Sequence, residues 1–122
     1  MKHLSFLARL GFALSGIRTA LAQESSFRTQ VLLGATASAL LIALRPPLIW
    51  VALFILSASA VLALELLNTA LERLADRLHP ERHAAIQAAK DCAAGAVLLA
   101  SLAALVIGAL IVAIGMGWLK SN

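Results

Sequence analysis

The segment that most constrains the fold is residues 93–119, because its 27 residues include no charged side chain. A transmembrane helix needs about 20 apolar residues to cross a hydrocarbon core about 30 Å thick. The whole chain shares this character, since 61% of its 122 residues are apolar and only 13% are charged, against about 25% charged in soluble domains. The sequence predicts one all-α membrane domain, residues 1–122, without room for a soluble nucleotide-binding domain.

Two of the three expected spans are defined by uncharged runs. Residues 29–44 carry no charge and are followed by Arg45-Pro46-Pro47. Because 16 residues are slightly short for a bilayer core, we expect the first span to occupy residues 28–45. The uncharged run near the end of the chain predicts the third span over residues 90–119.

The second span has a charged extension. From Leu48 the sequence keeps an apolar helical rhythm, with no helix breaker before His79-Pro80, which predicts a helix over residues 48–78. At 1.5 Å per residue this helix is about 45 Å long. Since that exceeds the bilayer core, its charged end is expected to leave the hydrocarbon.

The N-terminal segment permits two interpretations. Lys2, an apolar stretch and Ala20-Leu21-Ala22 are typical of a signal peptide with its cleavage site. However, Arg9 and Arg18 interrupt the apolar run, whereas large apolar residues recur every three or four positions. This spacing favours an amphipathic helix over residues 4–22 that lies in the membrane surface. Its apolar stripe is formed by Leu7, Leu10, Leu14, Ile17 and Leu21.

Basic residues predict the orientation. The formal net charge is +4, and on a chain this apolar we expect the charge to orient loops rather than to bind nucleic acid. Arg45 and Lys120 fall on one side of the expected spans, and the other eight basic residues fall on the opposite side. The positive-inside rule then makes the N-terminus and the 77–91 loop cytoplasmic and the C-terminus external. Those eight are Lys2, Arg9, Arg18, Arg28, Arg73, Arg77, Arg82 and Lys90.

Small residues repeat every fourth position on two spans. This spacing lets helix backbones approach closely in lipid. Because three thin helices enclose a polar pocket poorly, we expect a small homo-oligomer. The stripes are Ala35, Ala39 and Ala43 on the first span and Ala96, Ala100, Ala104 and Gly108 on the third.

One face of the second helix is acidic. Glu65, Asn68, Glu72 and Asp76 are three or four residues apart, so they share one side of the helix. Glu65 lies about 25 Å along the axis from Leu48, near the cytoplasmic head groups. Ionisable residues at such a depth are costly and usually functional. Asp76 could instead form ordinary interface pairs with its arginine neighbours, Arg73 and Arg77.

Paired carboxylates near a bilayer surface suit two kinds of chemistry. They can bind Mg²⁺ beside phosphate groups, or accept a proton from a lipid hydroxyl that attacks phosphorus. Glu24, at the junction of the surface helix and the first span, could be a second oxygen ligand or a solvated loop acid. Lys90, followed by Asp91, could neutralise phosphate or be an ordinary snorkelling lysine. The single cysteine, Cys92, excludes an intramolecular disulfide.

These residues resemble the prokaryotic integral-membrane diacylglycerol kinases, a family that includes the undecaprenol kinases. The E-x-x-N-[ST]-A-x-E string at residues 65–72 is specific, and Asp76-Arg77 and Ala89-Lys90-Asp91 follow it. The resemblance covers essentially the whole chain. It implies a homotrimer with shared active sites that transfers the γ-phosphoryl group of MgATP to diacylglycerol, giving phosphatidic acid, or to undecaprenol.

The resemblance also implies a role for each site residue. Glu65 is expected to be the general base, and Asn68 to maintain the geometry of the site. Glu24 and Glu72 are expected to bind Mg²⁺. Four further residues are expected to contact the nucleotide, namely Glu81, His83, Lys90 and Asp91.

Three positions depart from the family pattern, and the chain also lacks the common phosphate-binding motifs. Gln30 replaces an acid, Phe12 replaces an aromatic residue with a hydroxyl, and Ala88 stands where a basic residue can occur. There is no P-loop string and no protein-kinase motif. Basic residues such as Lys90 and Arg28, together with a metal ion, would therefore have to neutralise the triphosphate.

Two hypotheses from other functional classes remain at this stage. A small proton-coupled efflux transporter can depend on one membrane-embedded Glu, although it would favour an acid near the midplane and a further span. A non-catalytic scaffold would explain the small-residue stripes but would leave Glu65 and Asn68 without a role.

Overall fold

The computed structural model describes residues 3–120 and is entirely helical within that range apart from turns. Its elements are α1 (Phe6–Gln23), α2 (Ser25–Ala43), α3 (Leu48–Leu78) and α4 (Ala84–Gly115). The last three are long and apolar enough to cross a membrane. The prediction of an all-α membrane protein is confirmed. Lys2, which entered the charge count, lies outside the described residues.

A single residue separates α1 from α2. Glu24 has an extended backbone, with φ −114° and ψ 106°, and divides the two helices. The side chain of Arg28 reaches back to α1, where its Nη1 atom donates hydrogen bonds to the carbonyls of Leu21 at 2.9 Å and Ala22 at 3.1 Å. Since the last carbonyls of a helix lack partners within it, Arg28 stabilises the end of α1. Arg28 therefore has a structural role that the sequence did not indicate.

The turn between α2 and α3 is set by a left-handed residue and two prolines. Arg45 has a φ of 53°, a region that favours glycine, and its amide bonds to the carbonyl of Ile42 at 2.9 Å. Pro47 is the N-cap of α3. Proline is compatible with this position because the residue before the first helical turn donates no amide hydrogen bond within the helix.

The limits of α4 differ from the predicted span over residues 90–119. The helix begins at Ala84 because the His83 side chain caps it, its Nδ1 accepting a hydrogen bond from the Ala85 amide at 3.0 Å. It ends at Gly115, shortly before Gly117 adopts a φ of 79°. Lys90 and Asp91 therefore lie well inside α4 rather than at its start.

The core lies where α3 packs between α2 and α4. Leu41, Phe54 and Ile111 form a buried apolar cluster. Gly108 borders this cluster, and a Cβ atom there would lie 3.5 Å from Phe54 and 3.7 Å from Leu41, which is ordinary van der Waals contact. All four residues of the small-residue stripe on α4 are half-buried. The stripe on α2, Ala35, Ala39 and Ala43, is exposed, so it does not pack within the described chain.

Large apolar side chains cover the outside of the bundle. Leu56 on α3 is 69% exposed and Leu99 on α4 is 71% exposed. Such a surface is costly in water but matches lipid, which is as apolar as leucine. The apolar stripe predicted for the N-terminal helix is also exposed on α1. The packing of the chain therefore leaves these surfaces available to lipid.

Candidate active site

Glu65 lies at the level where α3 changes from apolar to charged. It is 6% exposed, and it is the one buried charged or polar residue within residues 3–120. Gln30 Nε2, on α2, donates a hydrogen bond to Glu65 Oε1 at 3.5 Å. A buried carboxylate is costly unless a donor compensates it, and here that donor comes from the adjacent helix.

Asn68 and Glu72 form the next step along the same face of α3. Asn68 Nδ2 donates a hydrogen bond to Glu72 Oε1 at 3.4 Å. The other end of the amide, Asn68 Oδ1, is buried and has no hydrogen-bond partner among the described residues. The pair therefore offers a carboxylate together with an uncompensated amide oxygen, one turn beyond Glu65.

Arg73 connects α3 to the α1–α2 junction. Its Nε and Nη2 atoms donate to Glu24 Oε1 at 3.1 and 2.6 Å, and Nη2 also donates to Gln23 Oε1 at 2.9 Å. The Glu24 carboxylate is thereby held against α3, next to the residue that follows Glu72. The hypothesis that Arg73 pairs with Asp76 is not what the structure shows.

Lys90 connects α4 to the same region. Its Nζ atom lies 2.5 Å from Asp76 Oδ1, and the lysine side chain is 27% exposed. Asp76 thus pairs with α4 rather than with Arg73. At the two ends of this face, Glu65 therefore contacts α2 and Asp76 contacts α4, and Arg73 adds the contact with the α1–α2 junction.

The remaining predicted nucleotide contacts lie apart from this group. Asp91 accepts a hydrogen bond from Gln87 Nε2 at 2.9 Å, one turn away on α4. Glu81 is exposed in the 79–83 loop, where its backbone carbonyl lies 3.0 Å from His79 Nδ1. His83 caps α4. Among the described residues, no hydrogen bond or ion pair joins these three side chains to the acidic face of α3.

The donor set fits a magnesium ion in its chemistry. Mg²⁺ takes hard oxygen ligands and is usually held by one or two carboxylates together with substrate phosphates. Glu24, Glu72 and the unpartnered Asn68 Oδ1 are oxygen donors of this type. Residues 3–120 contain no group of three or more His, Cys, Asp or Glu side chains placed to hold a metal, so the phosphates would have to complete the ligand set.

Two cavities adjoin this region. The first, of about 600 Å³, lies between α1 and α3 and is lined by Phe12, Gly16, Thr69 and Arg73, among others. The second, of about 930 Å³, runs along α2, α3 and α4, with Gln30 among its lining residues. Both are mostly apolar and both include a residue that contacts a predicted site carboxylate.

Sequence reasoning missed Arg73 and Gln30. The sequence suggests that Arg73 could pair with Asp76 on its own helix, and it marks Gln30 only as a departure from a family pattern. Each contacts a residue that is 35 to 49 positions away in the chain. The signal that could have found Gln30 is that it has the only side-chain amide in the uncharged run of residues 29–44.

Comparison with known proteins decides the family. The model of the prokaryotic diacylglycerol kinase family matches residues 11–112, a range that includes α2, α3, most of α4 and every residue of the candidate site. The chain belongs to the prokaryotic diacylglycerol kinase family. This membership confirms the resemblance found in the sequence and argues against the transporter and scaffold hypotheses.

Curated relatives carry two names. A diacylglycerol kinase of Synechocystis is 38% identical over 105 residues, which are 85% of this chain and 60% of the relative. A diacylglycerol kinase of Haemophilus influenzae is 36% identical over 73% of this chain and 75% of the relative. An undecaprenol kinase of Bacillus subtilis is 42% identical over 51% of this chain. The matched segment thus spans 60% of the Synechocystis protein and 50% of the Bacillus protein.

Proposed function

We propose that this chain is a lipid kinase that transfers the γ-phosphoryl group of MgATP to the hydroxyl of diacylglycerol, giving phosphatidic acid and ADP. The observation that carries the proposal is Glu65, a buried carboxylate about 25 Å along α3 from Leu48. At that depth it is within reach of a lipid alcohol at the head-group level. Membership of a kinase family explains why a membrane helix would keep such a costly group.

Glu65 acts as the general base. Its carboxylate takes the proton of the lipid hydroxyl as that oxygen bonds to the γ-phosphorus. The bond from phosphorus to the bridging oxygen breaks, and ADP leaves with that oxygen. Because phosphoryl transfer has a loose transition state, positioning and charge neutralisation do most of the work. The burial of Glu65 keeps competing water away from the reacting hydroxyl.

Lys90 neutralises charge on the phosphates. For this, its ammonium group must exchange the Asp76 carboxylate for a phosphate oxygen, and its partial exposure makes such an exchange feasible. Asp91, Glu81 and His83 contact the nucleotide from the cytoplasmic end of α4 and the loop before it. Since Glu81 is exposed, this contact requires the nucleotide to extend beyond the face of α3.

Glu24 and Glu72 are the proposed ligands of Mg²⁺. The ion, when bound, offsets the negative charge of the triphosphate. Asn68 orients the Glu72 carboxylate through its amide, and its buried Oδ1 atom, which has no hydrogen-bond partner among the described residues, is a further oxygen donor next to Glu72. Arg73 holds the Glu24 carboxylate against α3, the helix that carries Glu72.

We also propose an orientation in the membrane and an oligomeric state. The protein is placed in the bacterial inner membrane, with its N-terminus and the 77–91 loop in the cytoplasm and its C-terminus outside. We also propose a homotrimer with active sites shared between subunits. Support comes from the exposed alanine stripe on α2, because a small-residue stripe lets a helix from a second copy approach closely.

Undecaprenol is the alternative acceptor. The relative named undecaprenol kinase is 42% identical, the highest value among these three relatives, but over half of this chain. The two relatives named diacylglycerol kinase match over 85% and 73% of it. The longer matches favour diacylglycerol. Both lipids present a primary hydroxyl, so the residues that react would be the same.

A parallel assay of both lipids tests this function. Purified protein in mixed micelles is given ATP labelled in the γ-phosphate, Mg²⁺ and either diacylglycerol or undecaprenol. We expect labelled phosphatidic acid to form at least about tenfold faster than labelled undecaprenyl phosphate. Faster labelling of undecaprenol would show that undecaprenol, rather than diacylglycerol, is the preferred acceptor. Label in neither lipid, from folded protein, would contradict the proposal.

A further inference from the structure

Glu65 has one described hydrogen-bond donor, and that donor is neutral. The contact from Gln30 Nε2 joins α2 to α3 at 3.5 Å. Asn68, the nearest amide on α3 itself, donates to Glu72 instead. With a side chain 6% exposed, the Glu65 carboxylate depends on the amide of Gln30 for its orientation.

The packing of two helices fixes this contact. Leu41 on α2 and Phe54 on α3 belong to one buried cluster. Gln30 lies eleven residues before Leu41, and Glu65 lies eleven residues after Phe54. In an antiparallel pair, equal separations keep residues at the same level along both axes, about 16 Å from the cluster. The position of Gln30 opposite Glu65 therefore follows from the core.

No hydrogen bond or ion pair joins Glu65 to another ionisable group in the described structure. On α4, residues 93–119 are uncharged, and Lys90 pairs with Asp76, three turns along α3 from Glu65. On α2, Arg28 bonds to the end of α1. The α1–α2 junction presents Glu24, which pairs with Arg73. On α1, Arg18 is exposed. Glu72 is the nearest carboxylate on α3 itself.

We propose that Gln30 is a positioning residue for Glu65. Its amide holds Glu65 Oε1 and leaves the other carboxylate oxygen to accept the proton of the lipid hydroxyl. Because the amide is neutral, it orients the base without competing for that proton. This inference rests on the proposed function, since it assigns Gln30 a part in the same phosphoryl transfer.

Two substitutions at Gln30 test separately the hydrogen bond that the amide donates and the fact that the amide is neutral. Gln30→Leu removes the donor, and misplacement of a catalytic group typically costs about tenfold to a hundredfold in rate. We therefore expect kcat to fall by about tenfold or more, with the KM for ATP within about twofold of wild type. Gln30→Glu keeps the size but adds a second carboxylate. Two carboxylates at this distance cannot easily both be ionised, so the acidic limb of the pH–rate profile should move at least about one pH unit upward.

Thr29→Val is the matched control. Thr29 is the neighbouring residue on α2, and its hydroxyl donates to the Ser25 carbonyl of its own helix at 3.0 Å. We expect this variant to keep the rate and the pH profile of the wild type. Because Gln30→Glu is nearly isosteric, it tests the proposal even when Gln30→Leu does not fold.

A second measurement does not depend on activity. Infrared spectra of protein labelled with ¹³C in glutamate, compared with those of Glu65→Gln, identify the Glu65 carboxyl band and follow its titration. We expect Gln30→Glu to move the midpoint of that band to higher pH. Unchanged titration and an unchanged rate profile in an active enzyme would overturn the role of Gln30 alone. Absence of lipid phosphorylation by the wild type would overturn the proposed function instead, while the infrared titration would still test the contact.

Discussion

Glu65→Gln is expected to lower the rate of phosphate transfer to diacylglycerol by about 10²–10⁴-fold, the range that general bases contribute. Glutamine keeps the shape of the side chain and can still bond to Gln30, so the helix packing should persist. It cannot accept the proton of the lipid hydroxyl. The initial rate of label transfer from ATP to lipid measures the effect, and gel filtration in detergent checks that the variant is folded.

Ser57→Ala is the control for this experiment. Ser57 is a half-buried polar residue two turns earlier on α3, and its hydroxyl donates to the Phe54 carbonyl of its own helix at 2.9 Å. Its rate should remain within about twofold of wild type. Folded Glu65→Gln protein that retained more than a tenth of the wild-type rate would contradict the assignment of Glu65 as the base.

Lys90→Met is expected to lower kcat/KM for ATP by about a hundredfold, which is the scale of losing one charged group that stabilises a developing negative charge. Methionine preserves much of the aliphatic stem and removes the ammonium group. The loss should appear in both KM and kcat, because the phosphates carry negative charge in the ground state and in the transition state. Steady-state rates over a range of MgATP concentrations measure both constants.

Two further variants separate the phosphate role of Lys90 from its ion pair with Asp76. Arg82→Met removes a positive charge from the exposed 79–83 loop and should change kcat/KM by less than about threefold. Asp76→Asn breaks the ion pair but keeps the ammonium group, so it should reduce activity much less than Lys90→Met does. An equal loss in Asp76→Asn and Lys90→Met would show that the ion pair, rather than phosphate binding, is what the enzyme needs.

The helix limits could be predicted where covalent geometry dictates them. The limits of α3, Leu48 and Leu78, lie beside Pro47 and near Pro80, and proline restricts the backbone whatever packs around it. The start of α4 could not be predicted in the same way. Hydropathy reports where a helix leaves lipid, whereas the His83 side chain determines where its hydrogen bonds begin.

The candidate site could be predicted only along one helix. Helical periodicity was enough to place Glu65, Asn68 and Glu72 on one face of α3, and the structure confirms that the helix continues through all of them. The contacts Gln30–Glu65 and Glu24–Arg73 join different helices. They depend on how α2 and the α1–α2 junction pack against α3. The periodicity of one segment does not predict packing between helices.

Arg28 illustrates the same limit. A basic residue at the start of a span is equally suited to phosphate, to lipid head groups or to the free carbonyls of a preceding helix. The one-residue break at Glu24 brings the end of α1 within reach of the guanidinium group, and the carbonyls of Leu21 and Ala22 become its partners. Since the sequence does not reveal the sharpness of that break, the capping role could not be predicted.

The central claim is that the acidic face of α3 lies at the cytoplasmic rim of the bilayer, where ATP from water and an alcohol in the membrane meet. Sealed membrane vesicles of opposite orientation test it most directly, because ATP does not cross the bilayer. With labelled ATP added outside, inside-out vesicles should form labelled phosphatidic acid, and right-side-out vesicles should do so only after detergent opens them. Labelling by sealed right-side-out vesicles alone would contradict this placement of Glu65.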